Sequence, residues 1–89
     1  MYRIHVMVSG NVQNVYFRKQ TKKKALELDL KGSVKNLFNN AVEIIAEGSM
    51  DALTELTGWL QKGPPLANVK KLSIEWMSGT NEFSTFEIN

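Results

Sequence analysis

The chain has 89 residues, no cysteine, and 11 basic against 9 acidic side chains, for a net charge of +2. A chain of this length forms one modest core, so a single domain over residues 1–89 is expected. The missing cysteines exclude disulfides and thiolate metal sites, and so mild a charge excludes the dense basic surface of a dedicated nucleic-acid binder. The start lacks the charged-then-apolar pattern of a secretory signal. The apolar runs fall far short of the ~20 residues needed to span a bilayer. A soluble, cytoplasmic, monomeric protein is therefore expected.

In chain order, residues 2–9 alternate, with Tyr2, Ile4, Val6 and Val8 facing one way and Arg3, His5, Met7 and Ser9 the other. This is the period of a half-buried strand. Gly10-Asn11 interrupts it, and from Phe17 the spacing becomes helical, with Phe17, Thr21, Ala25 and Leu28 on one face and Gly32 closing the segment. Residues 33–39 and 41–47 read as a hairpin turning at Asn39-Asn40, because asparagine tolerates positive φ. Ser49 is placed to cap a second helix carrying Leu53, Leu56 and Leu60, which Gly63-Pro64-Pro65 ends. Residues 69–76, with Leu72, Ile74 and Trp76 on one face, predict a further strand, and Phe83 to Ile88 a short last one. Two helices bury their apolar faces together only against one side of a sheet. The expected fold is a ferredoxin-like βαββαβ sandwich of the α+β class, an antiparallel sheet with both helices on one face and a short C-terminal strand. That fold serves many functions and decides none.

The segment Ser9-Gly10-Asn11-Val12-Gln13-Asn14-Val15-Tyr16-Phe17-Arg18 joins the first strand to the first helix. A loop in that position presents backbone N–H groups without intrahelical partners at the positive end of the helix dipole, where anions bind. Arg18 can add a bidentate guanidinium fork to the same anion. The plainer reading is an ordinary connection with a surface arginine. Asn36 shares the parity of Val34 and Phe38, and an amide on an apolar face needs a hydrogen-bond partner, structural or functional.

Together these residues resemble the acylphosphatase family. Its first loop reads Gly-x-Val-Gln-Gly-Val-x-Phe-Arg, and Gly10 to Arg18 matches except at Asn14. Its Leu-x-Gly-Trp-Val-x-Asn is met by Leu30 to Asn36 except at Ser33, and Val42-Glu43, Glu47-Gly48, Gly63-Pro64-Pro65 and Phe83 to Ile88 follow in order. The resemblance implies the same fold. It makes Arg18 the phosphate-binding arginine, Asn36 the residue that orients the attacking water, and the backbone amides of Asn14, Val15, Tyr16, Phe17 and Arg18 the phosphate cradle. It also implies an acyl phosphate substrate, inorganic phosphate as product, and no cofactor, metal, nucleic acid or membrane.

Elementary chemistry agrees with so sparse a site. Phosphoryl transfer through a loose transition state asks for positioning and charge stabilisation. An acyl phosphate expels a carboxylate whose conjugate acid has a pKa of about 4, so no general acid is required. Asn14 replaces a cradle glycine, and asparagine reaches the left-handed region at modest cost; the cradle is expected to form, with weaker binding or slower turnover. Ser33, in place of tryptophan, removes packing surface. Gln13 could touch a substrate; His5 reads as a plain strand residue, and Trp59 and Trp76 as packing.

Three other readings compete. The chain could be a phosphate-binding module with the same cradle but impaired turnover because of Asn14. It could be an RNA binder using its lysine-rich first helix, although the sheet lacks the stacking aromatics of such proteins. A larger carbamoyl-handling enzyme can carry a domain of this kind, but the end at Asn89 favours a stand-alone enzyme.

Overall fold

In the computed structural model, residues 1–14 and 16–89 are described. The elements follow the expected order: β1 (Tyr2–Asn11), α1 (Phe17–Glu27), β2 (Lys31–Asn36), β3 (Val42–Gly48), α2 (Met50–Lys62), β4 (Asn68–Ser78) and β5 (Phe86–Ile88). They build one sheet in the order β4-β1-β3-β2-β5. β1 runs antiparallel to both β3 and β4, and β2 antiparallel to β3. β5 pairs parallel with β2, so the sheet is mixed at that edge. The geometry requires this, because β2 and β4 run in opposite directions and the chain reverses after β4 before reaching the far edge.

The period-two reading of β1 and β3 holds. Ile4, Val6 and Val8 lie opposite Ala46, Ile44 and Val42, all fully or almost fully buried. Both helices cover this face, α1 over β2 and β5 and α2 over β4, β1 and β3. Leu53, Leu56 and Leu60 of α2 are completely buried, and truncating any one to alanine costs about 2–5 kcal/mol. Ser49 caps α2 as expected, its hydroxyl accepting from Ala52 N at 3.2 Å, and Asp51 stands in the first turn. Trp59 packs tilted against Phe17, while Trp76 meets Tyr2 edge-on at the uncovered end of β4.

Three local expectations change. The first hairpin arm covers Lys31–Asn36 rather than 33–39, because pairing stops at Asn36–Val42 and a turn follows, closed by Leu37 N donating to Ala41 O at 2.8 Å. Phe38 therefore leaves the strand's parity and stands fully exposed, although Asn40 takes the positive φ foreseen for the turn, at 64°. Gly32 does not close α1. The helix ends through Leu28 and a left-handed Asp29, whereas Gly32 lies within β2 at φ 151°, where a Cβ would strike the Ile45 carbonyl.

The opposite sheet face carries charge. Glu47 alternates outward with Glu43 and Ile45, yet it is buried. Its carboxylate accepts from Arg3 Nε, Thr80 N, Thr80 Oγ1 and Asn81 N at 2.7–3.0 Å. His5 is likewise engaged, with Nε2 2.8 Å from Glu43 Oε2. Among the described residues no helix is long and apolar enough to cross a membrane.

Candidate active site

β1 ends in an irregularity between Ser9 and Gly10 in its pairing with β4. Gly10 takes φ 130°, and a Cβ there would collide with the Asn68 carbonyl, so only glycine fits the shifted register against β4 at this point. Val12 is then fully buried and pins the loop to the core. Gln13 spends its side-chain nitrogen on the backbone, donating to Leu37 O at 2.8 Å and Ala41 O at 2.9 Å.

Asn14 and Tyr16 both adopt left-handed backbone, at φ 60° and 61°. Asn14 thus reproduces the conformation expected of the glycine it replaces. Tyr16 is the greater surprise, because a bulky aromatic pays a steric penalty there and nothing in its residue type signals it. Tyr16 is the N-cap of α1, with no side-chain cap and no acidic residue in the first turn. The contrast with α2 is direct: Ser49 and Asp51 satisfy that helix start, whereas the start of α1 has neither a side-chain cap nor an acidic residue beside the positive end of its dipole. Val15, also expected in the cradle, lies outside the described residues.

Arg18 sits in the first turn of α1, half-buried, and its Nη1 donates to the Asn89 carbonyl at 3.2 Å. Among the described residues no Asp or Glu side chain pairs with it. Asn36 is the last residue of β2. It is partly buried, and its Oδ1 is inaccessible with no hydrogen bond from any described protein group. An orphaned buried acceptor costs about 1–3 kcal/mol.

These residues share one cleft of about 350 Å³, lined by Asn14, Tyr16, Phe17, Arg18, Lys19 and Asn36, with Val12 and Ile88 completing its wall. Lys19, Val12 and Ile88 are not among the site residues that the sequence motif implies. Ile88 arrives through the parallel pairing of β5 with β2, where it stands opposite Val34, two residues before Asn36. Such long-range pairing leaves no local signal in sequence. Among the described residues no three His, Asp or Glu side chains converge as a metal site would require.

The fold and cleft together define a small α+β sandwich whose first helix opens, uncapped and beside an arginine, onto the cleft. The family model described as Acylphosphatase matches residues 4–88. The chain is 43% identical to the acylphosphatase of Methylococcus capsulatus over 88 residues, covering 99% of this chain and 96% of that relative. The crystal structure of acylphosphatase from Bacillus subtilis is similar at a TM-score of 0.96 and 31% identity, covering 100% of this chain and 99% of that one. An acylphosphatase structure from Coxiella burnetii is similar at a TM-score of 0.91 and 45% identity, covering 98% and 90%. The chain belongs to the acylphosphatase family.

Proposed function

We propose that this chain hydrolyses acyl phosphates to a carboxylate and inorganic phosphate, with Arg18 and the loop amides holding the phosphoryl group and Asn36 orienting the attacking water. The observation that carries this reading is the meeting of Arg18 and Asn36 in one cleft at the uncapped start of α1. The amides of residues 14 to 18 would bind the phosphoryl oxygens, and the Arg18 fork would neutralise their charge. The side-chain amide of Asn36, which lines the cleft, would hold the water with a lone pair turned towards phosphorus. The water oxygen bonds to phosphorus as the bond to the acyl oxygen breaks, and the carboxylate leaves with that electron pair. A non-bridging phosphoryl oxygen takes the water's proton.

The same reading makes the protein a monomeric, cytoplasmic, single-domain enzyme acting on a small molecule without a cofactor. Its support is a cleft completed within one chain, a cysteine-free sequence and a net charge of only +2. The test is hydrolysis of benzoyl phosphate in excess EDTA beside a simple alkyl phosphate. Turnover of the acyl phosphate alone is expected, because an alkoxide is too poor a leaving group for this site. Binding of inorganic phosphate without any hydrolysis would replace the enzyme with a phosphate-binding module.

A further inference from the structure

The two halves of the proposed site stand on separate pieces of chain, and one side chain joins them. Gln13 is the covalent neighbour of Asn14 in the loop, and its Nε2 donates to the carbonyls of Leu37 and Ala41, at 2.8 and 2.9 Å. Leu37 is in turn the covalent neighbour of Asn36. The turn that receives these bonds is closed within itself, by Leu37 N donating to Ala41 O at 2.8 Å and by Ala41 N donating to Asn39 Oδ1 at 3.3 Å. Both hydrogens of the amide are used, so Gln13 acts as a two-pronged brace rather than as a donor to substrate.

We propose that Gln13 is a positioning residue that fixes the distance between the phosphate cradle and Asn36. The inference rests on the roles read above for Arg18 and Asn36. Its physical basis is the steep dependence of rate on alignment. A displacement of about 1 Å between a held nucleophile and its target can cost on the order of 10²-fold, whereas binding by one half of the site is unaffected. The loop and the first turn of α1 carry the groups read as phosphate ligands, and β2 carries Asn36. Loosening the brace therefore separates turnover from phosphate affinity.

Gln13→Glu keeps the side chain's shape but, when ionised, removes both donors and sets a carboxylate against two carbonyls. At pH 7 the expected result is a fall in kcat of about tenfold or more, while inhibition of benzoyl phosphate hydrolysis by inorganic phosphate weakens by less than about threefold. Lowering the pH towards 4, near the ordinary glutamic acid pKa of about 4.3, protonates much of the new carboxyl and returns one donor, so the variant's kcat relative to wild type should rise. Gln13→Met, neutral and similar in size, provides the same comparison if the glutamate variant does not fold. A kcat within about twofold of wild type in a folded variant would overturn the proposal. Equal losses in kcat and phosphate inhibition would also overturn it, by making Gln13 part of the binding site. Failure of the underlying reading shows separately, as absence of wild-type turnover or as full turnover by Arg18→Ala.

Discussion

Arg3 Nε donates to Glu47 Oε2 at 2.7 Å on the sheet face turned away from both helices. Burial alone would raise the Glu47 carboxyl, but the hydrogen bonds from Thr80 N, Arg3, the Thr80 hydroxyl and Asn81 N outweigh it and hold the group below its ordinary range. These bonds also fasten residues 80–81, which lead to β5 and the Ile88 wall of the cleft. Because the folded state favours the ionised form, the stabilisation is present above the ordinary pKa of 4.5 and is lost as pH falls through the lowered folded value. Glu47→Gln should destabilise the protein by about 1–3 kcal/mol at pH 7, and its gap to wild type should narrow towards pH 3. Urea unfolding at several pH values measures this, and a gap independent of pH would contradict it.

Asn36 lines the cleft from the end of β2. Asn36→Ala should lower kcat by about 10²–10³, the usual cost of losing one well-placed polar group, while phosphate still inhibits at nearly the wild-type concentration. Steady-state kinetics with phosphate as inhibitor separates the two effects. A parallel loss of both would remove Asn36 from water positioning and make it a phosphate ligand.

Asn14 holds φ 60° in the loop and also lines the cleft. Glycine would relax the backbone but loosen the unfolded chain, and these effects oppose each other. Asn14→Gly should therefore change stability by less than about 1 kcal/mol, while turnover rises several-fold as the phosphate approaches the backbone more closely. Asn14→Val, whose branched side chain resists positive φ, should lose most of its activity. Activity retained in the valine variant would show that the loop conformation is not required.

Thr21 lies on the buried face of α1, with an Oγ1 that has no hydrogen-bond partner among the described residues. Valine fills nearly the same space without the stranded hydroxyl. Thr21→Val should stabilise the protein by about 1 kcal/mol, raising Tm by roughly 4–8 °C in a domain of this size. A lower Tm would indicate that the hydroxyl is satisfied in solution.

How far these features could be read from sequence depended on whether a local rule governed them. The alternation of Ile4, Val6 and Val8, the leucine face of α2 and the Ser49 cap are local and were legible. The family motif named Arg18 and Asn36, and the structure places both in one cleft. Phe38 was misplaced because period two says where a strand faces but not where it stops; that was decided by the turn at Leu37–Ala41. Glu47 shows in the sequence only as part of the family motif, and its burial depends on Arg3, Thr80 and Asn81 arriving from distant parts of the chain. The parallel pairing that brings Ile88 beside β2 and the left-handed Tyr16 likewise have no signature in residue type or spacing.

The most direct test of the central claim is benzoyl phosphate turnover by purified Arg18→Ala beside wild type, at matched folded concentration and in EDTA. Arg18 and Lys19, neighbours in the first turn of α1, both line the cleft. Loss of its charge and its fork should reduce kcat/KM by at least about 10²–10³, with Lys19 unable to compensate. Turnover near the wild-type value would contradict the account, because phosphate binding would then not pass through Arg18.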